Sequence, residues 1–341
     1  MFCKTFTRRI CQTALGLTAF FPLAAHAACD GNNALKALQH TNPATYENIL
    51  TAAKQVPNGE GIFWKVEAPG VAPSYLLGTK HSADRPIGKE LRLARKALQG
   101  ARLLFVELSP EETAEMETTL RSDPTLFMDM AGGTLANNIP PTLTSRAKDV
   151  FSEYALPPQA ADRIQPWFLQ MLMAQPPCAV AAQAANPDGV MDKAIAQMAK
   201  DNGVAVRGLE RWEDQLDIFR TMSAHDAKAG LIYMIESHDD RNDDHATLSD
   251  LYEARRIAEI WEFSRWRFET SNYDFETSAD AHMEKLQRTL VTDRNIEMGN
   301  NTRAEVKKGG VVVAVGALHL IGESGLVAAF KREGYNVTRL D

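Results

Sequence analysis

Apolar positions along the chain fall into two patterns. Short runs that are apolar at nearly every residue occur at Tyr75-Leu76-Leu77, Leu103-Leu104-Phe105-Val106, Val204-Ala205-Val206 and Val311 to Val315. Runs this short, bounded by glycine or charge, predict strands, buried ones at Tyr75, Leu103 and Val311. Gly61 to Val66 predicts a further strand that hairpins onto Tyr75–Leu77 through the turn at Pro69-Gly70. The second pattern has a helical period. Ile87, Leu91, Ala94 and Leu98 share one face of a helix opened by Pro86 and ended by Gly100. Residues 30–57 read as a helical leader. Pro110 to about Arg303 carries mostly helical periods: Pro124–Met130, Pro141–Tyr154, Pro157–Met173, Gly189–Asn202, Arg211–Ile235, Thr247–Trp266 and Asp280–Asn295. The polar run His238 to His245 between two of these helices predicts a solvated loop.

The strand, helix, strand order from Tyr75 to Val106 predicts a right-handed parallel crossover. His81 follows three residues after Gly78, and Glu107 closes the second run. Both are then expected at the carboxyl ends of neighbouring strands, where open α/β sheets bind ligands. The end of the chain repeats the device. Val311–Val315 is broken by Gly316, and His319 follows three residues on. A helix from Gly325 to Arg332 and a strand from Tyr335 to Leu340 complete it, with Gly334 as the helix cap. The expected fold is α/β, with a central mixed sheet built from two related strand-loop-helix halves. These halves span about 60–108, and 204–210 plus 311–341, with a large helical insertion at about 110–303.

The first residues predict a separate fate. Lys4, Arg8 and Arg9 precede an apolar stretch, and Ala25-His26-Ala27 has the form of a cleavage site. Residues 1–27 therefore read as a signal peptide, too short for a membrane span, leaving a domain at 28–341 that is periplasmic or secreted. His26 weakens a lipoprotein reading of Cys29. Residues 1–27 carry three positive charges and no negative ones, so their removal takes the formal net charge from -7 to -10. An acidic chain argues against nucleic acid or anionic membrane as partner. No later segment is apolar for long enough to span a bilayer. Cys29 and Cys178 remain after cleavage, and an exported compartment permits a disulfide between them. Their number and surroundings argue against a thiolate metal site or a catalytic cysteine. No Walker loop, dinucleotide fingerprint or G-x-S-x-G elbow occurs.

Two histidines and one carboxylate at one sheet edge point to chemistry. His81, Glu107 and His319 offer donors for a borderline divalent ion and leave positions open for water. Gly78 and Gly316 let the backbone turn and approach a ligand closely. Arg294 is a candidate clamp for a substrate carboxylate or a developing oxyanion, or a salt-bridge partner of Asp293 or another helix. Glu210 is a candidate ligand or ligand support, or a helix-start acid. Each histidine could instead hydrogen-bond its own loop.

These segments together resemble the TraB/GumN/TIKI family. The resemblance rests on Leu77-Gly78-Thr79-Lys80-His81, Phe105-Val106-Glu107, Gly208-Leu209-Glu210 with Gln215, Asp293-Arg294-Asn295 and Val315-Gly316-Ala317-Leu318-His319-Leu320. Pro166-Trp167 and Gly189-Val190-Met191-Asp192 resemble its middle section. The resemblance implies an exported hydrolase, a peptidase acting on a peptide or other small carbonyl substrate. It would depend on manganese, cobalt or zinc held by His81, Glu107 and His319. Two alternatives stay open: a non-enzymatic binding protein for peptide, pheromone or haem, and a metal-free, esterase-like hydrolase using His81 and Glu107. Lys80 stands where the family's first motif usually has an aliphatic residue. A cation there must point away or pair with an acid if an ion is to bind.

Overall fold

The computed structural model describes residues 29–271, 275 and 277–341. The predicted signal peptide and its cleavage site lie outside the described residues, apart from Cys29. Six strands form one sheet: β1 (Phe63–Glu67), β2 (Ser74–Thr79), β3 (Leu103–Val106), β4 (Ala205–Gly208), β5 (Val311–Gly316) and β6 (Asn336–Arg339), in the order β4-β3-β5-β2-β1-β6. β4, β3, β5 and β2 are mutually parallel, and β1 runs antiparallel to β2 and β6. The expected α/β fold with its helical insertion is what forms.

One expectation about the sheet is corrected. β2 and β3 are not neighbours, because β5 inserts between them. Its valines from Val311 to Val315 are wholly buried, and only a run apolar on both faces can occupy the middle of a parallel sheet. The two strands that carry the G-x-x-H loops, β2 and β5, are thereby adjacent. Gly78 lies in register with Val315, and Thr79 with Gly316.

Helices fill the rest: α1 (Ala34–Thr41), α2 (Pro43–Lys54), α3 (Gly88–Leu98), α4 (Pro110–Ser122), α5 (Thr144–Glu153), α6 (Pro158–Ala161), α7 (Pro166–Leu172) and α8 (Pro177–Ala185). They continue as α9 (Met191–Asp201), α10 (Trp212–Arg220), α11 (Ala224–Glu236), α12 (Arg241–Glu253), α13 (Ile257–Glu269), α14 (Ala279–Gln287), α15 (Asp293–Val306) and α16 (Leu326–Arg332). Several segments that the period joins are broken by local chemistry. The leader divides at Asn42, whose side chain caps α2 at the Thr45 amide. Pro124–Met130 yields only a 3-10 turn at Pro124–Leu126, and Met128 then bridges to Ile164. Pro166 lacks an N–H and starts α7 afresh, so Pro157–Met173 is not one helix. Ser223 caps α11 at the Asp226 amide, and Arg255 turns at φ 65 between α12 and α13.

The polar run from His238 to His245 is no solvated loop. It forms a 3-10 turn and the first turn of α12. His238 is buried and pairs with Glu153 at 3.1 Å.

Two large cores result. One surrounds the sheet and includes Met191, Ile195, Tyr252, Ile257 and Met298 from the insertion. The other lies among helices and joins Phe151, Trp167, Leu169 and Leu231. A smaller cluster of Leu35, Ile49, Leu251 and Phe263 holds the leader. Cys29 is bonded to Cys178 with 5.4 Å between their Cα atoms, so its sulfur carries no lipid thioether. No helix among the described residues is long and apolar enough to cross a membrane.

The disulfide joins residues 149 positions apart in the sequence. Cys178→Ser should cost about 2–4 kcal/mol, read as a lower urea midpoint with a steeper slope, because the freed unfolded chain exposes more surface.

Candidate active site

The carboxyl edge of the parallel strands brings His81, Glu107 and His319 together. Glu107 is buried directly after β3, flanked by the loop after β2 and the loop after β5. Its Oε1 lies 3.9 Å from His81 Nε2 and 3.8 Å from His319 Nε2. The same oxygen accepts the Gly316 N–H at 2.7 Å, and Oε2 accepts from Arg294 at 2.7 Å. Burial alone would push this carboxyl up. The His81, His319 and Arg294 side chains and the Gly316 amide outweigh burial and hold it at about 2.

Each imidazole is oriented from behind. His81 Nδ1 lies 3.1 Å from Asp192 Oδ2, and Asp192 Oδ1 accepts the Thr79 hydroxyl at 2.8 Å. His319 Nδ1 lies 2.7 Å from Asn295 Oδ1, while Asn295 Nδ2 donates to the Ser324 carbonyl at 3.1 Å. With its amide N–H committed there, Asn295 presents its oxygen to His319, so Nδ1 carries the proton and Nε2 an open lone pair. Asp192 imposes the same tautomer on neutral His81. When both rings are neutral, two Nε2 lone pairs and an ionised carboxylate face one space. The histidines differ in setting. His81 is at the rim with 57% of its side chain exposed, and Asp192, then Glu107, push it up to about 9. His319 is buried, and desolvation pulls it down to about 4.

The two glycines differ as well. A Cβ on Gly316 would sit 3.2 Å from Glu107 Oε1, 3.5 Å from His319 Cδ2 and 3.6 Å from His81 Nε2, filling the space where the three converge. A Cβ on Gly78 would meet Ala317 at 3.0 Å instead. Gly78 thus lets β2 lie close against the His319 turn and does not line the site.

Arg294 follows a π-helical turn, Arg288–Thr292, a distortion frequent at functional sites. Its guanidinium donates twice to Glu210 at 2.7 Å, once to Glu107 and once to the Leu290 carbonyl at 3.1 Å, leaving Asp293 out. Glu210 also accepts from Gln215 at 2.9 Å. Glu210 therefore meets the site through Arg294. Lys80 points away from the imidazoles, with Nζ 5.7 Å from the Tyr252 ring centre.

A metal fits the chemistry of these donors. Each imidazole Nε2 stands 3.8–3.9 Å from Glu107 Oε1, within the roughly 3–4 Å that separates neighbouring ligand atoms on one ion. Beside His81 and Glu107 a cleft of about 1040 Å³ opens between α4 and α9, large enough for an extended chain. Asp192 and Asn295 escaped sequence reasoning as site residues, although both lie inside motifs that resembled the family. Their role depends on α9 and α15 reaching the sheet edge, which no spacing reveals.

The sequence profile of the TraB/PrgY/gumN family matches residues 62–339. No curated protein and no solved structure matches the chain.

Asp192→Asn should return the His81 titration toward its ordinary 6.5, followed by ring-proton NMR. The folded value lies above the unfolded one, so the pair stabilises the fold fully below about pH 6.5. That contribution disappears as pH rises through about 9, and the variant should lack this pH dependence.

Proposed function

The chain belongs to the TraB/PrgY/gumN family, and we propose that it is an exported, metal-dependent hydrolase acting on a peptide or similar carbonyl substrate. The carrying observation is the convergence of two Nε2 atoms on Oε1 of Glu107, each ring fixed from behind. At neutral pH a proton on His81 supplies the missing positive charge. A divalent ion held by His81, Glu107 and His319 would replace that proton, as metal binding to imidazole does.

When bound, manganese, cobalt or zinc would supply Lewis acidity and lower the pKa of a coordinated water. The chain's own groups have separate tasks. Asn295 keeps His319 in the tautomer whose Nε2 is free, and Asp192 does the same for His81. Arg294 anchors Glu107 from the buried side and is itself fixed by Glu210, which makes both positioning residues. Gly316 gives its N–H to Glu107 and leaves the centre open. The cleft between α4 and α9 would align an extended substrate beside His81. Export is supported by the Cys29–Cys178 disulfide, by the charge and apolar pattern of residues 1–27, and by the lack of a membrane-crossing helix among the described residues.

Elemental analysis of protein purified without chelators should find one divalent ion per chain. His81→Ala, Glu107→Ala and His319→Ala should each empty the site, and any pair of them should be no worse than one. Full metal content in both histidine variants would sink the hydrolase and favour a binding protein. Activity that survives chelation would favour the metal-free esterase.

Gly316→Ala is a sharper probe. Its φ of -48 suits any residue, so the variant should melt within a few degrees of the parent. Its methyl group would occupy the convergence point, and metal content should fall at least tenfold.

A further inference from the structure

Beside the disulfide lies a second group of ligand-type side chains. One atom each from Cys29, Asp84 and His245 lie within 4.8 Å of one another, and Cys178 joins them through its bond to Cys29. The group is sheltered: Cys29 is buried, and the Asp84 and His245 side chains are 2% and 12% exposed. His245 Nε2 stands 3.0 Å from Asp84 Oδ2 yet makes no well-directed hydrogen bond. The Ser82 hydroxyl donates to Asp84 Oδ1 and holds the carboxylate in place. Four distant parts of the chain meet here: the start of the leader, the loop after His81, α8 and α12.

While the disulfide is closed there is no thiolate, and Asp84 and His245 are only a side-chain pair at 3.0 Å. We propose that reduction of Cys29–Cys178 turns this group into a zinc-type metal site with Cys29, Cys178, Asp84 and His245 as its four ligands. Two thiolates, an imidazole and a carboxylate form a donor set suited to tetrahedral zinc. Neighbouring ligand atoms on zinc are roughly 3.5 Å apart, close to the 3.0 Å between His245 Nε2 and Asp84 Oδ2, and opening the S–S bond lets the two sulfurs separate to that spacing. The reductant is a dithiol or phosphine. Its two electrons enter the S–S bond, two protons complete the thiols, and both protons leave again when the thiolates bind the ion. Two thiolates and a carboxylate exceed the charge of a divalent cation by one. Lys80 supplies the balance: it acts electrostatically on Asp84, and its buried Nζ has no hydrogen-bond partner. Disulfide and ion are mutually exclusive states of one site. That site is tied to the His81 loop through Asp84 and through Gln175, which donates to the His81 carbonyl at 2.9 Å.

Cobalt titration of the full protein, oxidised and then reduced with a phosphine, tests the proposal. A sulfur-to-cobalt charge-transfer band reports this site alone, because His81, Glu107 and His319 contain no sulfur. The reduced protein should bind one cobalt per chain with that band, and zinc should displace it. The oxidised protein should show no band. Cys178→Ser should lose about half its intensity, and Asp84→Ala and His245→Ala should each weaken binding roughly tenfold or more, since even outer-shell losses reach that size. Two titratable thiols with no band at millimolar cobalt would overturn the site. So would a band that Asp84→Ala and His245→Ala both leave unchanged. If reduction unfolds the chain, zinc should restore the far-ultraviolet circular dichroism of the parent but not of Asp84→Ala; failure to restore the parent would equally overturn it.

Discussion

The site depends on keeping one carboxylate ionised out of water. Removing a charge from solvent is costly unless partners replace the lost hydration. Glu107 has a guanidinium on one oxygen, a backbone N–H on the other, and two imidazoles beyond. Each partner comes from a different part of the chain: Arg294 from α15, the amide from the end of β5, and His81 from the loop after β2. The carboxylate thus acts as the joint where the sheet edge and the helices are brought into register. Glu210 extends the joint, because Arg294 serves two acids and cannot turn from one without exposing the other.

The helical insertion is no appendage to this centre. α9 supplies the acid behind His81, and α15 supplies both the amide behind His319 and the arginine behind Glu107. The strands set where the imidazoles leave the sheet, while the helices decide which nitrogen each presents. The two histidines stand in opposed settings, one at the rim and drawn toward its charged form, the other buried and held neutral.

Much of this was legible in the sequence, and the misses share a cause. Uninterrupted apolar runs identified the strands, and the two G-x-x-H spacings identified the loops, because both signals are local. The order of strands was not local. The Leu103 and Val311 runs read alike and both are buried on both faces, so nothing local told which of them takes the place beside β2. Helix breaks at Asn42, Pro166 and Ser223 came from single residues whose capping or missing N–H outweighs a continuing period. The run at His238–His245 misled because charge was read as exposure. Pairing with Glu153 and Asp84 lets both of its histidines lie largely out of water. Asp192 and Asn295 lie in motifs that resemble the family, but those motifs do not say which side chain each would meet, since that depends on where α9 and α15 pack.

The position of β5 also governs when the molecule can exist at all. The strand at the middle of the sheet begins at Val311 of a 341-residue chain. β2 and β3 are therefore made long before the strand that lies between them. Non-local pairing of this kind closes slowly. Until Val311 to His319 have been added, His81 and Glu107 lack the loop that carries the second imidazole. Order along the chain thus makes the convergence of the two histidines on Glu107 a late event in folding, whatever the centre does.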